Sequence, residues 1–209
     1  MLVTSLELES RSGGVRVQLD GRPFGTVALA DVTALGIAVD RTVGEPTAVQ
    51  LAHCAEVFSA RVVALSILTS RGLPAAEVRQ RLVRKGHTKA AAEEAVDALR
   101  AAGLIDDAEF ARHYARTRAQ TRCFGPRRLL ADLRRLGVAD RVAEAAVREA
   151  LEADGVDPRA VLREAAAKKV RGLGGLDPQT AKRRLRAYLL RRGFGGSEVA
   201  AVVKDALPR

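Results

Sequence analysis

Basic side chains cluster on the N-terminal side of three glycines, each of which ends a copy of the same short sequence motif. The motif consists of a leucine, three further residues and a glycine, and it occurs at residues 82–86, 133–137 and 189–193. Arginine binds phosphate or carboxylate through a planar guanidinium fork, so clusters of this kind can hold a polyanion. We predict that binding is carried by Arg81, Arg84, Lys85, Arg127, Arg128, Arg134, Arg135, Lys182, Arg183, Arg184, Arg186, Arg191 and Arg192.

Residue types suited to catalysis or metal binding do not form a recognisable site. The three histidines lack metal-ligand spacing, and Glu109 with His113 at i and i+4 supplies only two ligands where structural zinc uses four. Asp106 and Asp107 resemble a carboxylate pair, but they lie directly before a helix, where N-capping explains them. The sequence contains no GxxxxGK[ST] phosphate loop and no GxGxxG after a strand. We therefore predict a protein that is not an enzyme and uses no cofactor or metal.

The basic clusters lie in a region that is helical from about residue 47 onward. Apolar periodicity between glycines and prolines predicts ten helices. Their ranges are 47–58, 60–71, 74–85, 88–102, 106–122, 126–136, 139–153, 158–170, 177–192 and 196–206. The repeated glycines are separated by 51 and 56 residues, which leaves room for about three helices per copy. The pattern predicts a tandem array in which neighbouring units share apolar surface.

The first thirty residues alternate apolar and polar side chains instead. This alternation predicts three short antiparallel strands with turns at 12–14 and 20–23. A sheet of this size is marginal by itself and needs a helix to pack on. Asp31 is placed to cap a short helix that ends at Gly36. The predicted divisions are a β-rich module at 1–45, a first helical repeat with its preceding linker helix at 46–105, a second repeat at 106–155 and a third at 156–209.

The net charge of +10 is distributed unevenly along the chain. Residues 1–60 have four arginines and seven acidic residues, a net charge of −3, whereas residues 159–209 have thirteen basic and four acidic residues, a net charge of +9. In each repeat the helix before the glycine is basic and the helix after it is mildly acidic. This segregation indicates a binding surface for a polyanion. The alternative is a solvated face that only keeps the chain soluble.

The remaining composition points to a soluble cytoplasmic protein. Cys54 and Cys123 lie far apart, which predicts free, reduced thiols. The N-terminus lacks the apolar run of a signal peptide, and no stretch approaches the roughly 20 apolar residues of a membrane span. We expect the chain to be a monomer.

Several motifs together resemble the RecX family of recombination regulators. Residues 99–111, LRAAGLIDDAEFA, are similar to its L-x-x-x-G-hydrophobic-hydrophobic-D-D-x-x-F-A centre. Residues 125–129 resemble its G-P-x-[RK]-[IL] segment, and 191–194 resemble its C-terminal R-R-G-F. Residues 77–86 are similar to the E-[LV]-…-L-x-x-K-G of its first repeat. The first repeat departs from the pattern at 72–74, Gly-Leu-Pro, where many relatives have a polar R-x-x-S cap.

The resemblance implies a mainly α fold of three tandem, helix-turn-helix-like three-helix repeats in an elongated, curved array. It implies docking in the groove of the RecA filament on single-stranded DNA and inhibition of ATP turnover and strand exchange, in recombinational repair and the SOS response. The implied partners are RecA and single-stranded DNA, with weak binding to duplex DNA. The alternative is a helix-turn-helix-like protein that acts directly on single- or double-stranded DNA. The helices after the repeated glycines argue against base readout, because a recognition helix enters the major groove and their acidic residues would be repelled by the phosphates there.

Overall fold

Three strands occupy the start of the chain and helices form most of the rest. The computed structural model describes residues 1–10, 12–69, 72–152 and 157–207. The elements are β1 (Val3–Glu9), β2 (Gly14–Leu19), β3 (Arg22–Val27), α1 (Leu29–Ala34), α2 (Glu45–Leu68), α3 (Ala75–Arg84), α4 (Lys89–Ala101), α5 (Asp107–Arg122), α6 (Pro126–Arg135), α7 (Asp140–Glu152), α8 (Pro158–Val170), α9 (Pro178–Arg191) and α10 (Gly196–Ala206). The mainly α class predicted from sequence is confirmed. The helix ends predicted at residues 71 and 153 lie outside the described residues.

The three strands form the predicted antiparallel sheet in the order β1-β2-β3. Leu8 is opposite Val15 in the first pair, and Val15 is opposite Val27 in the second. Alternate side chains point inward, as the period-two pattern requires. Val3, Val17 and Val27 are fully buried and pack with residues of α2 in one core. The sheet therefore has the helix partner that the sequence predicts it needs.

The prediction of separate helices at 47–58 and 60–71 is wrong, because α2 is one continuous helix of 24 residues. Residue 59 is a serine, so no glycine or proline interrupts the helix at this point. Its neighbours Phe58 and Ala60 are both buried. Leu51 packs in the core of the sheet, whereas Ala64 packs in the core of the first helical group. A break between them would expose backbone groups that the helix satisfies.

The predicted boundary at residues 45–46 lies in the first turn of α2, and this helix contributes residues to two cores. By length and composition α2 is also apolar enough to cross a membrane, the one such helix in the described ranges, although the sequence predicts no membrane span.

The helices from α2 onward pack in groups of three. Contacts join α2, α3 and α4, then α5, α6 and α7, then α8, α9 and α10. Each group has its own cluster of buried residues. The chain also divides into two compact units, residues 1–105 and 106–209, so the second unit contains two of the groups. We refer to the three groups as the first, second and third repeats.

The repeated glycine ends the second helix of each repeat in the same way. Gly86, Gly137 and Gly193 have φ values of +99°, +80° and +89°. The N–H of the residue after each glycine donates a hydrogen bond to the carbonyl of the motif's leucine, which lies four residues before that glycine. The N···O distances are 3.2, 3.1 and 3.4 Å. This bond is part of the motif that closes many α-helices, and a glycine adopts its left-handed conformation without strain. The leucines of all three copies are fully buried.

Asp106 caps α5, as the sequence predicts. Its side chain accepts hydrogen bonds from the N–H groups of Ala108 and Glu109 at 2.8 and 2.9 Å. These two bonds stabilise the carboxylate and hold the pKa of Asp106 below its ordinary value. The cap satisfies two of the four free donors at the start of the helix.

Replacing Asp106 with alanine should lower the free energy of unfolding by about 1 kcal/mol near neutral pH. Because the pKa of Asp106 is lower in the folded chain than in the unfolded chain, its contribution is complete above the ordinary aspartate pKa. That contribution is lost as the pH falls through the lowered value. Urea titrations between pH 7 and about pH 3 measure both effects. Asp106→Asn is the control, since asparagine caps equally well without titrating, and equal stability of the alanine variant and the original chain would contradict the assignment.

Candidate functional site

The cations of α3 divide into paired and unpaired groups. Arg81 Nε lies 2.9 Å from Glu77 Oε1, one turn earlier on the same helix. Arg79 contacts Glu93 of α4 at 3.2 Å. Arg84 and Lys85 at the end of the helix are exposed and have no carboxylate partner among the residues described. The first repeat therefore keeps two of its three predicted binding residues unpaired.

A buried carboxylate holds two of the cations on α6. Asp132 is 5% exposed, and its Oδ2 accepts hydrogen bonds from Arg128 Nε at 3.1 Å and from the Tyr114 hydroxyl at 3.4 Å. Arg135 lies 3.9 Å from Oδ1 of the same carboxylate. Burial, together with the charge of Asp132, raises the pKa of Tyr114, so the hydroxyl keeps the proton that it donates. Asp132 thus partly neutralises two predicted binding residues.

The acidic helix α7 neutralises a third cation of α6. Arg134 Nε lies 2.8 Å from Asp140, and its Nη2 lies 3.4 Å from Glu144. The separation of basic and acidic helices along the sequence is therefore partly cancelled in space, because the two helices pack side by side. Arg127 is exposed and is the one predicted binding residue of α6 without a carboxylate partner in the described ranges.

Helix α9 carries cations that nothing in the described part of the chain neutralises. No carboxylate oxygen there lies within 4.0 Å of them. Asp177 precedes the helix as its N-cap and accepts a hydrogen bond from Thr180 N–H at 2.9 Å, which lowers the pKa of Asp177. Lys182 is half-buried, and four arginines are exposed: Arg183, Arg184, Arg186 and Arg191.

These cations lie on two faces of α9. The buried stripe contains Ala181, Leu185 and Leu189, while Tyr188 is only half-buried. On one side of the stripe, Arg184 and Arg191 are seven residues apart and therefore share a face. On the other side, the cations border a groove.

The groove between α9 and α10 has a volume of about 560 Å³, and we call it the α9 groove. Its basic lining residues are Lys182, Arg183, Arg186 and Lys204. Its apolar lining residues are Ala187, Leu190, Ala200 and Val203. The third repeat thus offers two unpaired basic surfaces, one exposed on a helix face and one around a depression.

Arg192 makes intramolecular contacts, although the sequence groups it with the binding residues. Its guanidinium carbon lies 4.8 Å from the ring centroid of Tyr188 and 5.3 Å from that of Phe124. It also donates a hydrogen bond to the carbonyl of Arg122. Arg128 lies over the same Phe124 ring at 5.5 Å. Cations over aromatic faces are attracted by the ring quadrupole. The contacts of Arg192 with Phe124 and with the Arg122 carbonyl tie the third repeat to the second.

Two glycines bring the backbones of these segments together. Gly125 N–H donates to the carbonyl of Arg192 at 2.7 Å, and Arg127 N–H donates to the carbonyl of Gly193 at 3.2 Å. A Cβ on Gly125 would lie 2.8 Å from the carbonyl of Gly193, and one on Gly193 would overlap the backbone nitrogen of Arg128. We call this contact between residues 122–128 and 188–194 the glycine clasp.

The sequence alone does not predict the glycine clasp. Both segments stand out as motifs, but they are about seventy residues apart, and no pattern in the sequence pairs them. The one signal they share is a glycine beside an aromatic residue, at Phe124-Gly125 and at Gly193-Phe194. Arg192 is accordingly a structural residue of the clasp, and any role in binding is an additional prediction.

The cysteines and histidines do not converge on a site. Cys54 and Cys123 are free thiols, as predicted. Burial and the charge of Asp31 raise the pKa of Cys54. His53 lies 2.9 Å from Glu94 at the protein surface. Within the described ranges, no group of three or more histidine, cysteine, aspartate and glutamate residues is placed to hold a metal ion.

Both repeats of the second unit match models of the same protein family. Family models described as RecX, second three-helix domain, and RecX, third three-helix domain, match residues 106–147 and 157–203. The regulatory protein RecX of Amycolatopsis mediterranei is 36% identical over 148 residues, which cover 71% of this chain and 83% of the relative. That of Mycobacteroides abscessus is 40% identical over 145 residues, which cover 68% and 69% of the two chains.

Two solved structures share the fold. The crystal structure of a regulatory protein RecX superposes with a TM-score of 0.78 and covers 98% of both chains at 22% sequence identity. The crystal structure of RecX from Lactobacillus salivarius superposes with a TM-score of 0.60 at 21% identity and covers 72% of this chain and 96% of that one.

Replacing Gly193 with alanine should lower the free energy of unfolding of the second unit by about 3 kcal/mol, because it combines left-handed strain with overlap in the glycine clasp. Gly175→Ala is the matched control, since Gly175 has a φ of +84° but open space around its Cα. We expect it to cost only about 1 kcal/mol. Urea unfolding followed by circular dichroism measures both, and equal losses would show that the close contact contributes nothing.

Proposed function

Because the chain belongs to the RecX family, we propose that it is a non-enzymatic regulator of RecA, mainly an inhibitor. In this proposal it binds the groove of the RecA filament on single-stranded DNA and suppresses ATP hydrolysis and strand exchange. It acts in recombinational repair and the SOS response, in the cytoplasm, as a monomer and without a cofactor.

The observation that carries the proposal is the set of unpaired cations on α9. In the first and second repeats, carboxylates on the same or the following helix hold part of the basic charge, whereas α9 has no such partner in the described ranges. Leaving five like charges on one helix is unfavourable unless a polyanion neutralises them. A filament of protein on single-stranded DNA supplies phosphates and surface carboxylates at regular intervals.

The repeat architecture suits a ligand that also repeats. The unpaired cations recur on the second helix of each repeat, as Arg84 and Lys85, then Arg127, then those of α9. Three attachment points on one chain raise the overall affinity well above that of any single point. A chain attached to successive filament subunits would oppose the movements that ATP turnover requires and would occupy the space that an incoming duplex needs.

Direct binding to DNA is the second candidate. The exposed arginines favour it, since phosphate contacts from arginine account for most non-specific affinity for DNA. Sequence-specific readout has less support, because the third helices of the repeats carry carboxylates that would face phosphates. A direct binder would act only on free DNA and would not sediment with a preformed RecA filament.

Reversing two charges on the exposed face of α9, Arg184→Glu with Arg191→Glu, should raise the concentration needed to inhibit RecA by about tenfold, equivalent to about 1.4 kcal/mol of binding free energy. The measurements are ATP hydrolysis by RecA on single-stranded DNA and co-sedimentation with preformed filaments. Normal ATP turnover and strand exchange in the presence of the original chain would refute the proposal itself.

The matched control is Arg141→Glu with Arg148→Glu on the acidic helix α7. Both arginines are exposed, and the double variant changes the net charge by the same amount. We expect nearly unchanged inhibition. Equal losses from the two double variants would mean that only net charge matters and that α9 is not a contact surface. Circular dichroism and the thermal midpoint should stay the same for both.

A further inference from the structure

The α9 groove has an apolar floor that is open to solvent. Small side chains at Ala187 on α9 and Ala200 on α10 leave the depression between the two helices, and Leu190 and Val203 complete its floor. Leu190 remains 41% exposed, although it lies beside a well-packed core. An aliphatic side chain inserted here would remove this surface from water, which is favourable in proportion to the area buried.

The rim of the groove is basic on both sides. Lys182, Arg183 and Arg186 stand on the α9 side and Lys204 stands on the α10 side. No aspartate or glutamate lines the groove in the described part of the chain. The floor therefore favours an apolar group while the rim favours carboxylates or phosphates, so the occupant must carry both kinds of group.

Positions that form ion pairs in the second repeat are occupied by uncharged residues in the third, at the same distances from the repeated glycine. In the second repeat, Arg134 stands three residues before its glycine, and Asp140 and Glu144, which neutralise it, stand three and seven residues after. The same positions in the third repeat hold Leu190, Gly196 and Ala200. The third repeat thus lacks one cation and two carboxylates together, and aliphatic and small residues occupy their positions, two of which line the groove.

We propose that the α9 groove binds an acidic segment of a protein partner. The segment inserts an aliphatic side chain between Ala187 and Ala200 and places carboxylates against the basic rim. An amphipathic helix in a groove is a common mode of peptide recognition. The inference rests on the proposed function for one point only, that the partner is the protein component of the filament.

Nucleic acid and a second copy of this chain fit the groove less well. Single-stranded nucleic acid gains much of its affinity from bases stacked on aromatic rings. Among the residues that the structure describes, no aromatic side chain lines the groove. Phosphates gain nothing from an aliphatic floor. A second copy carries a net charge of +10, so two copies would repel each other as they approach this basic rim.

The test is fluorescence anisotropy with a labelled helical peptide of about twelve residues, in which two leucines one turn apart are flanked by glutamates. We expect a dissociation constant of about 10–100 μM at moderate salt. A peptide of equal charge with serines in place of the leucines should bind about tenfold more weakly. Equal binding of the two peptides, or full displacement by excess oligothymidylate, would overturn the proposal.

Variants of the chain locate the site. Leu190→Asn should weaken peptide binding about tenfold, and Lys182→Glu with Arg186→Glu should weaken it at least as much. Val83→Asn is the matched control for the first, because Val83 occupies the equivalent position in the first repeat and is 38% exposed. Arg141→Glu with Arg148→Glu is the matched control for the second. Unchanged peptide binding by both groove variants would overturn the assignment.

The same proteins separate failure of this inference from failure of the proposed function. If the original chain inhibits RecA and the groove variants bind both peptide and filament as it does, the groove assignment fails and the proposed function stands. If the original chain binds the acidic leucine peptide through the groove but does not bind filaments, the proposed function fails. Analytical ultracentrifugation completes the test, since a dimer that Leu190→Asn dissociates would identify a second copy as the occupant and overturn the proposal.

Discussion

A glycine in the left-handed conformation follows α3, α6 and α9. The chain turns at this glycine, and the next helix packs against the one before it. The N–H of the residue after each glycine donates a hydrogen bond to the carbonyl of a buried leucine, so the end of the helix is anchored to the core of its repeat. Ten residues later a valine of the next helix is buried in the same core. Leucine, glycine and valine together therefore hold the two helices side by side.

Because these helices lie side by side, the charge on one determines whether the charge on the other is free. In the second repeat the acidic residues of α7 reach Arg134, and Asp132 holds two further arginines from below. In the third repeat the corresponding positions are glycine and alanine, and the cations of α9 are left to solvent. One backbone arrangement thus produces a partly neutralised surface in the second repeat and an unpaired basic surface in the third.

The glycine clasp gives the second unit a feature that the repeat pattern does not contain. The contacts of Gly125 with the turn at Gly193 are possible only because neither residue has a side chain. Arg192 then lies between two aromatic rings and contacts a carbonyl seventy residues away. We infer that the clasp fixes the third repeat against the second, so that α6 and α9 keep a constant relation to each other. A constant relation suits a ligand with regular spacing.

Residues 1–30 and the ends of α3, α6 and α9 were predictable from the sequence because they depend on local properties: alternation of apolar residues, turn residues, helix caps and glycine. The repeated leucine and glycine positions gave the grouping of helices for the same reason. The continuity of α2 through Ser59 was not predictable, because two separate cores bury the residues around that point. The sequence also identified every basic residue, but only the tertiary structure decided which ones are unpaired. The carboxylates that neutralise Arg128 and Arg134 and the rings that hold Arg192 are brought to them by packing, and no pattern along the chain specifies which distant groups will meet.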